Sequence, residues 1–196
     1  MTLSTNALLS ELSAAQRQRL AYIEFKAWFY GEVSRKQVLE RFEVASAAGT
    51  RDLILYKELA PDNVVYERKA YRYTPSFQPI FQHEVGSVLA ALTTGYGTGD
   101  QPALGDLLSH AVPARLNLPP LETLATVTRA IGANHVLSLN YHSMKQGPQT
   151  REIIPHSLVD SGLRWHVRAF DRTQGHFRDL VLTRMAQVQP VQGSSP

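Results

Sequence analysis

The stretch SRKQVLERFEVASAAGTRDLILYKELAPDNVVYERKAYRYT, residues 34–74, decides the fold of the N-terminal half. Ser34 and Gln37 have the spacing of a capping box, in which the hydroxyl accepts from the third helical N–H and the amide side chain reaches back. They predict a short helix through Val38, Leu39 and Phe42. A second helix starts near Ser46 and carries Leu53, Tyr56 and Leu59 on one face. It must stop before Pro61, because the residue preceding a proline is pushed out of the helical region. Residues 63–74 then supply Val64, Val65, Tyr66, Tyr71 and Tyr73 around Glu67, Arg68 and Lys69, the pattern of a hairpin with a basic tip.

Upstream, Ser13 and Gln16 repeat the capping spacing, and Leu20, Ile23, Ala27 and Tyr30 recur at three- and four-residue steps until Gly31. Helix, short helix, capped helix and hairpin in this order make a winged helix-turn-helix pattern. Downstream, Pro75 and Pro79 punctuate the chain, and Val85, Val88, Leu89 and Leu92 predict one more helix over 83–93. Residues 94–105, with Gly95, Gly97, Gly99, Pro102 and Gly105, predict a flexible loop, and the domain boundary falls between there and Pro120. A helix over 121–131, ended by Gly132, leads into four candidate strands at 136–143, 150–154, 163–170 and 178–185, separated by Gly147-Pro148, Ser161-Gly162 and Gln174-Gly175. Short strands with such turns suggest a small barrel. The expected fold class is α+β, with a DNA-binding domain over 1–80, a helical or flexible linker over 81–120, a β domain over 121–190 and a disordered tail over 191–196.

Composition narrows the function. With 43% hydrophobic and 19% charged residues the chain has ordinary globular material. It has no cysteine, so disulfide frameworks and thiolate metal sites are excluded. The N-terminus lacks an export signal and no segment has the length of a membrane span, so a cytoplasmic, nucleoid-associated protein is expected. A net charge of +3 permits a polyanionic partner, and the positive charge gathers toward both ends around an acidic-leaning stretch at 81–121. P-loop, H-E-x-x-H, G-x-S-x-G and C-x-x-C signatures are absent, so neither an enzyme nor a cofactor is expected. His142, His156, His166 and His176 lack the close spacing of a helical metal motif, and no metal is expected.

In a winged helix-turn-helix the second helix of the pair enters the major groove. Ser46, Thr50 and Arg51 lie on its first turns, where hydroxyls suit phosphate and a guanidinium can read guanine bidentately. Tyr56 and Lys57 follow along the same helix, Arg35 and Lys36 open the shorter one, and Arg68 and Lys69 at the hairpin tip would reach phosphates or a minor groove. Asp52 either pairs with Arg51 or serves packing. Singly, each of these charges reads more readily as a solvated surface group; it is their order and spacing together with the basic wing that point to DNA.

In residues 163–170, alternation sets Leu163, Trp165, Val167 and Ala169 on one face and Arg164, His166 and Arg168 on the other. With Tyr141, His142, Ser143, Lys145, Arg151, His156, Arg178 and Arg184 this gives a cationic face able to hold phosphate or a nucleotide.

The segments Leu139–Ser143, 151–159, 164–171 and 177–180 with Arg184-Met185 together resemble a WYL domain, Trp165-His166-Val167 standing where the family has Trp-Tyr-Leu. Residues 48–73, with Thr50-Arg51-Asp52-Leu53, Asn63-Val64-Val65-Tyr66 and Tyr71-Arg72-Tyr73, resemble the winged helix-turn-helix of repressors that accompany bacterial anti-phage systems of the BREX and CBASS types. The resemblance implies a homodimeric repressor on a palindromic operator in double-stranded DNA, with an Sm-like or SH3-like barrel that binds an anionic nucleotide or nucleic-acid effector. Carried over by motif, the effector site comprises Tyr141, Ser143, Arg151, His156, Arg164, His166, Arg168 and Arg178. Family members continue past the WYL domain into an extension that helps dimerise, whereas this sequence ends at Pro196, so the chain is either shortened or dimerises through other parts. The competing expectation is a single-stranded nucleic-acid-binding module that works through the barrel.

Overall fold

A computed structural model of the chain describes residues 8, 9, 11–94 and 117–191. It resolves into two compact units, one holding Met1–Glu84 and the other Gln101–Pro196, with residues 85–100 shared between them.

In the first unit α1 (Ala14–Tyr30) is capped by Ser13, whose hydroxyl accepts from the Gln16 N–H at 3.2 Å. It ends at Gly31, at φ 85°, a left-handed conformation that glycine adopts without a Cβ penalty. Strand β1 (Glu32–Ser34) follows at once, then α2 (Arg35–Phe42), α3 (Ser46–Leu59), β2 (Val64–Glu67) and β3 (Ala70–Tyr73). The expected capping box of Ser34 and Gln37 is present in full. The hairpin gains a strand the sequence did not announce: β1 pairs antiparallel with β3, giving the order β1-β3-β2. Leu20, Ile23, Ala27, Val33, Val38, Leu53, Tyr56 and Val64 form one core between helices and wing.

A carboxylate sits inside this core. Glu24, fully buried on α1, accepts from the Tyr56 hydroxyl at 3.1 Å and from the N–H groups of Ile80 and Phe81 at 2.9 Å, with His83 Nε2 also at 2.9 Å. These partners satisfy a charge that would be costly to bury unpaired, and they tie the segment after the wing to α1. Helix α4 (Val85–Thr94) begins just beyond it. The expected flexible loop at 94–105 lies outside the described residues apart from Thr94.

The second unit opens with α5 (Leu121–Ala133), which runs through Gly132 and stops at Asn134, itself left-handed at φ 53°. Strands β4 (Leu137–Ser143), β5 (Gly147–Asp160), β6 (Trp165–Asp171), β7 (His176–Val181) and β8 (Met185–Pro190) form one antiparallel sheet in the order β7-β6-β5-β4-β8, with a 3₁₀ turn at Leu182–Arg184. Helix α5 packs on β8 and β5 over a core of Leu124, Val127, Leu137, Leu139, Ile153, Val167 and Leu180.

The expected small barrel is corrected to a curled sheet that is not closed. Among the described residues β7 and β8 are not paired and form its two edges. Yet Val181 ends one edge strand and Met185 begins the other. That link spans at most about 15 Å, less than the roughly 19 Å across four flat strand spacings. The Val181 N–H accordingly reaches the Tyr141 hydroxyl of β4 at 3.3 Å. The expected strand over 163–170 starts only at Trp165, and Leu163, assigned to the buried face, is 81% exposed in the turn before it. The strand expected over 178–185 is split into β7, the 3₁₀ turn and the start of β8. Of the expected tail, Val191 is described and the remainder lies outside the described residues.

Candidate functional site

Helices α2 and α3 are brought close by Gly49. It is buried, and a Cβ there would lie 2.7 Å from Leu39 Cδ2. Along α3 the inward stripe is Gly49, Asp52, Leu53 and Tyr56. The outward stripe at three- and four-residue steps is Ala47, Thr50, Arg51, Ile54 and Glu58, of which only Thr50 is half-buried. Ser46 is exposed on the first turn, and the N-cap residue Ala45 provides no side-chain cap, unlike Ser34 on α2. The Thr50 hydroxyl donates to the Ser46 carbonyl at 2.9 Å and Arg51 Nε to the Ala47 carbonyl at 3.3 Å. Arg51 thus holds its two terminal nitrogens clear of the helix.

Asp52 turns away from Arg51 and pairs with Arg19 Nε of α1 at 2.5 Å, with Gln16 Nε2 at 3.2 Å. Its role is packing. At the hairpin tip Arg68 and Lys69 are exposed and both left-handed, φ 48° and 67°. A two-residue turn of this hand normally recruits Asn-Gly, because side chains with a Cβ are disfavoured there. Arg35 and Lys36 are exposed on the first turn of α2, Lys36 in an i,i+4 pair with Glu40 at 3.5 Å.

Two of the expected DNA contacts are corrected. Tyr56 is fully buried between Glu24 and the amide of Asn63, at 3.1 and 3.0 Å, so it belongs to the core. Burial and the neighbouring Glu24 charge push its phenol pKa far up. The Lys57 ammonium donates to the carbonyls of Pro61 and Val64, closing the C-terminal end of α3 onto β2 rather than facing outward.

The eight expected effector residues do not share one surface. Register decides their sides: Arg178 stands opposite the buried Ala169, and Arg151 opposite the buried Leu139. On the inner face Arg151 is therefore buried, ion-paired with Asp171, bonded to Gln149 at 2.7 Å and positioned over the Tyr141 ring at 5.7 Å. Arg178 lies 3.9 Å from Asp171 and is partly exposed. Arg151 and Tyr141 are thereby corrected from open ligand contacts to members of an internal polar cluster, which Arg178 extends toward solvent. On the outer face His166, Arg168 and Phe170 stand side by side, and Arg168 spans Asp179 at 3.1 Å and the Phe177 ring at 5.6 Å. His156 is exposed at a bulge between Pro155 and Ser157, Arg164 is exposed before β6, and the Ser143 hydroxyl accepts from Lys145 and Gln146 in the β4–β5 turn.

Residues 15–94 match the BrxR transcriptional regulator winged helix-turn-helix domain, and residues 122–190 match the WYL domain. The chain carries a winged helix-turn-helix domain of the BrxR type followed by a WYL domain. Both families are regulatory rather than enzymatic. Three relatives share the description DNA-binding transcriptional repressor CapW. That of Escherichia coli strain KTE188 is 32% identical over 89% of this chain and 61% of its own length. That of Stenotrophomonas maltophilia is 30% identical over 95% and 65%. That of Pseudomonas aeruginosa is 29% identical over 87% and 60%. The chain thus spans about three fifths of the length of these repressors.

Several residues that shape the winged helix and the WYL sheet escaped sequence reasoning. Glu24, His83 and Asn63 are single polar residues in apolar or loop contexts, with no local pattern to mark them. Asp171 and Gln149 gain meaning only through the register that faces them toward Arg151. Tyr56 did carry a signal, since it follows Leu53 at a core-facing step.

Proposed function

We propose that this protein is a sequence-specific DNA-binding transcriptional repressor that sets α3 in the major groove and the Arg68-Lys69 tip on flanking phosphate or minor groove. The observation that carries this reading is the outward stripe of Ala47, Thr50, Arg51 and Ile54, free of internal partners at its guanidinium tip and flanked by an exposed basic wing. Similarity to three repressors supports the class of partner. In this reading residues 1–80 bind DNA, 81–120 connect, 121–190 sense an anionic nucleotide or nucleic acid, and 191–196 form the tail. The protein works in the cytoplasm as a homodimer on a palindromic operator of a phage-defence operon. The inner-face cluster of Arg151, Arg178 and Asp171 supports the sensing role, because it sets a half-exposed guanidinium beside a buried ion pair.

The test is a fluorescence-anisotropy titration against the duplex upstream of the protein's own gene and a scrambled duplex at two salt concentrations. Charge alone weakens binding with salt equally on both. A clear preference for the upstream duplex supports a repressor, and equal binding sinks it. The second reading, a single-stranded nucleic-acid module, draws on the Arg168–Phe177 stack of the outer face. It requires Arg168→Ala to abolish binding and Arg51→Ala to leave it intact.

A further inference from the structure

The outward face of α3 is unusual in what it lacks. Its reading stripe holds no asparagine or glutamine to bracket adenine, and its one carboxylate, Glu58, lies next to the helix end. In its centre stands Ile54, a large aliphatic side chain that is 46% exposed. Ala47, about two turns before it on the same face, adds a methyl group. Thr50 spends its hydroxyl proton on the Ser46 carbonyl, so it has none left to give a base and brings a γ-methyl to the same stripe. Arg51, braced through Nε, is the single cation on the stripe.

We infer that α3 reads thymine C5-methyl groups, with Ile54 as the principal contact and Ala47 and Thr50 beside it, around one guanine taken by Arg51. The inference rests on the DNA-binding reading and specifies the base chemistry of that same helix. The major groove is where the thymine methyl projects and where small apolar side chains meet it, while guanine offers O6 and N7 to a two-pronged guanidinium. The occupant is duplex DNA because the helix before the stripe and the hairpin after it expose Arg35, Arg68 and Lys69, charges that complement phosphate. An exposed isoleucine at the middle of such a face gains favourable burial only against an apolar group, and the thymine methyl is the apolar group the groove presents.

The experiment selects a binding site from a randomised duplex pool with the full chain, then resynthesises that site with deoxyuridine in place of thymidine, position by position. Each methyl facing Ile54 is expected to weaken binding about threefold to fivefold when removed. Ile54→Ala, a change at an exposed position, should bind the thymidine and deoxyuridine forms of those positions equally, while Arg51→Ala should relax the choice of guanine and leave the uracil effect intact. Uracil substitution without effect, or an effect undiminished in Ile54→Ala, overturns the inference while the DNA-binding reading stands. If the pool yields no enriched duplex, the DNA-binding reading itself fails and the inference falls with it.

Discussion

Arg51 and Asp52 are neighbours in sequence and opposites in structure: Arg51 points out from α3, whereas Asp52 is buried and closes on Arg19 of α1 at 2.5 Å. One peptide bond separates an exposed guanidinium from a buried carboxylate that ties α3 to α1. Asp52→Ala leaves the Arg19 guanidinium largely buried without its carboxylate, which should cost about 2–4 kcal/mol of stability in denaturant melts. Arg51→Ala should move stability by less than about 0.5 kcal/mol and weaken operator binding by about 1–3 kcal/mol.

The hairpin tip carries a conformational cost. Arg68 and Lys69 both occupy left-handed backbone, each disfavoured by roughly 1–2 kcal/mol relative to a residue suited to it. Replacing the pair by Asn-Gly should raise the unfolding midpoint by the equivalent of about 1–2 kcal/mol. The same change should reduce the slope of log affinity against log salt by about two, because two phosphate contacts go. Stabilisation without any change in that slope would remove the tip from the interface.

Alkaline pH should loosen the first unit through Tyr56. Its phenol is held protonated in the fold by burial and by Glu24, while the unfolded chain releases the proton near the ordinary tyrosine value of 10. Below pH 10 both states keep the proton and the contribution is constant. Above it only the fold keeps it, so stability falls by up to about 1.4 kcal/mol per pH unit. Tyr56→Phe should flatten that decline in melts between pH 9 and 11. It should cost about 1–3 kcal/mol at neutral pH, because Glu24 and Asn63 each lose a partner.

In the WYL sheet, Asp171→Ala should destabilise by about 3–5 kcal/mol, since it strands the buried Arg151 charge. Arg168→Ala removes an exposed pair with Asp179 and should cost no more than about 1 kcal/mol. Differential scanning calorimetry of the two variants separates the inner from the outer cluster.

The helices were legible because their caps are local: Ser13, Ser34 and Gly31 act within four residues of themselves. The alternation of Trp165, Val167 and Ala169 against His166 and Arg168 was legible for the same reason. What local pattern could not supply was register. Arg151 and Arg178 turn inward because of residues paired with them from other strands, and the bulge at His156 resets the count in the middle of β5. Strands β1 and β8 were missed because the first has three residues and the second lacks apolar alternation, so each is stabilised mainly by the partner strand it joins.

The position of β4 between β5 and β8 has a consequence for synthesis. Its second neighbour is made some forty residues later, and until Met185–Pro190 leaves the ribosome one edge of β4 stands bare. The first unit needs nothing beyond its own residues to assemble a core, and domains fold in order of emergence. A nascent chain therefore completes its winged helix before its WYL sheet, and premature termination anywhere in β8 spares the former while exposing a strand edge open to pairing with other chains.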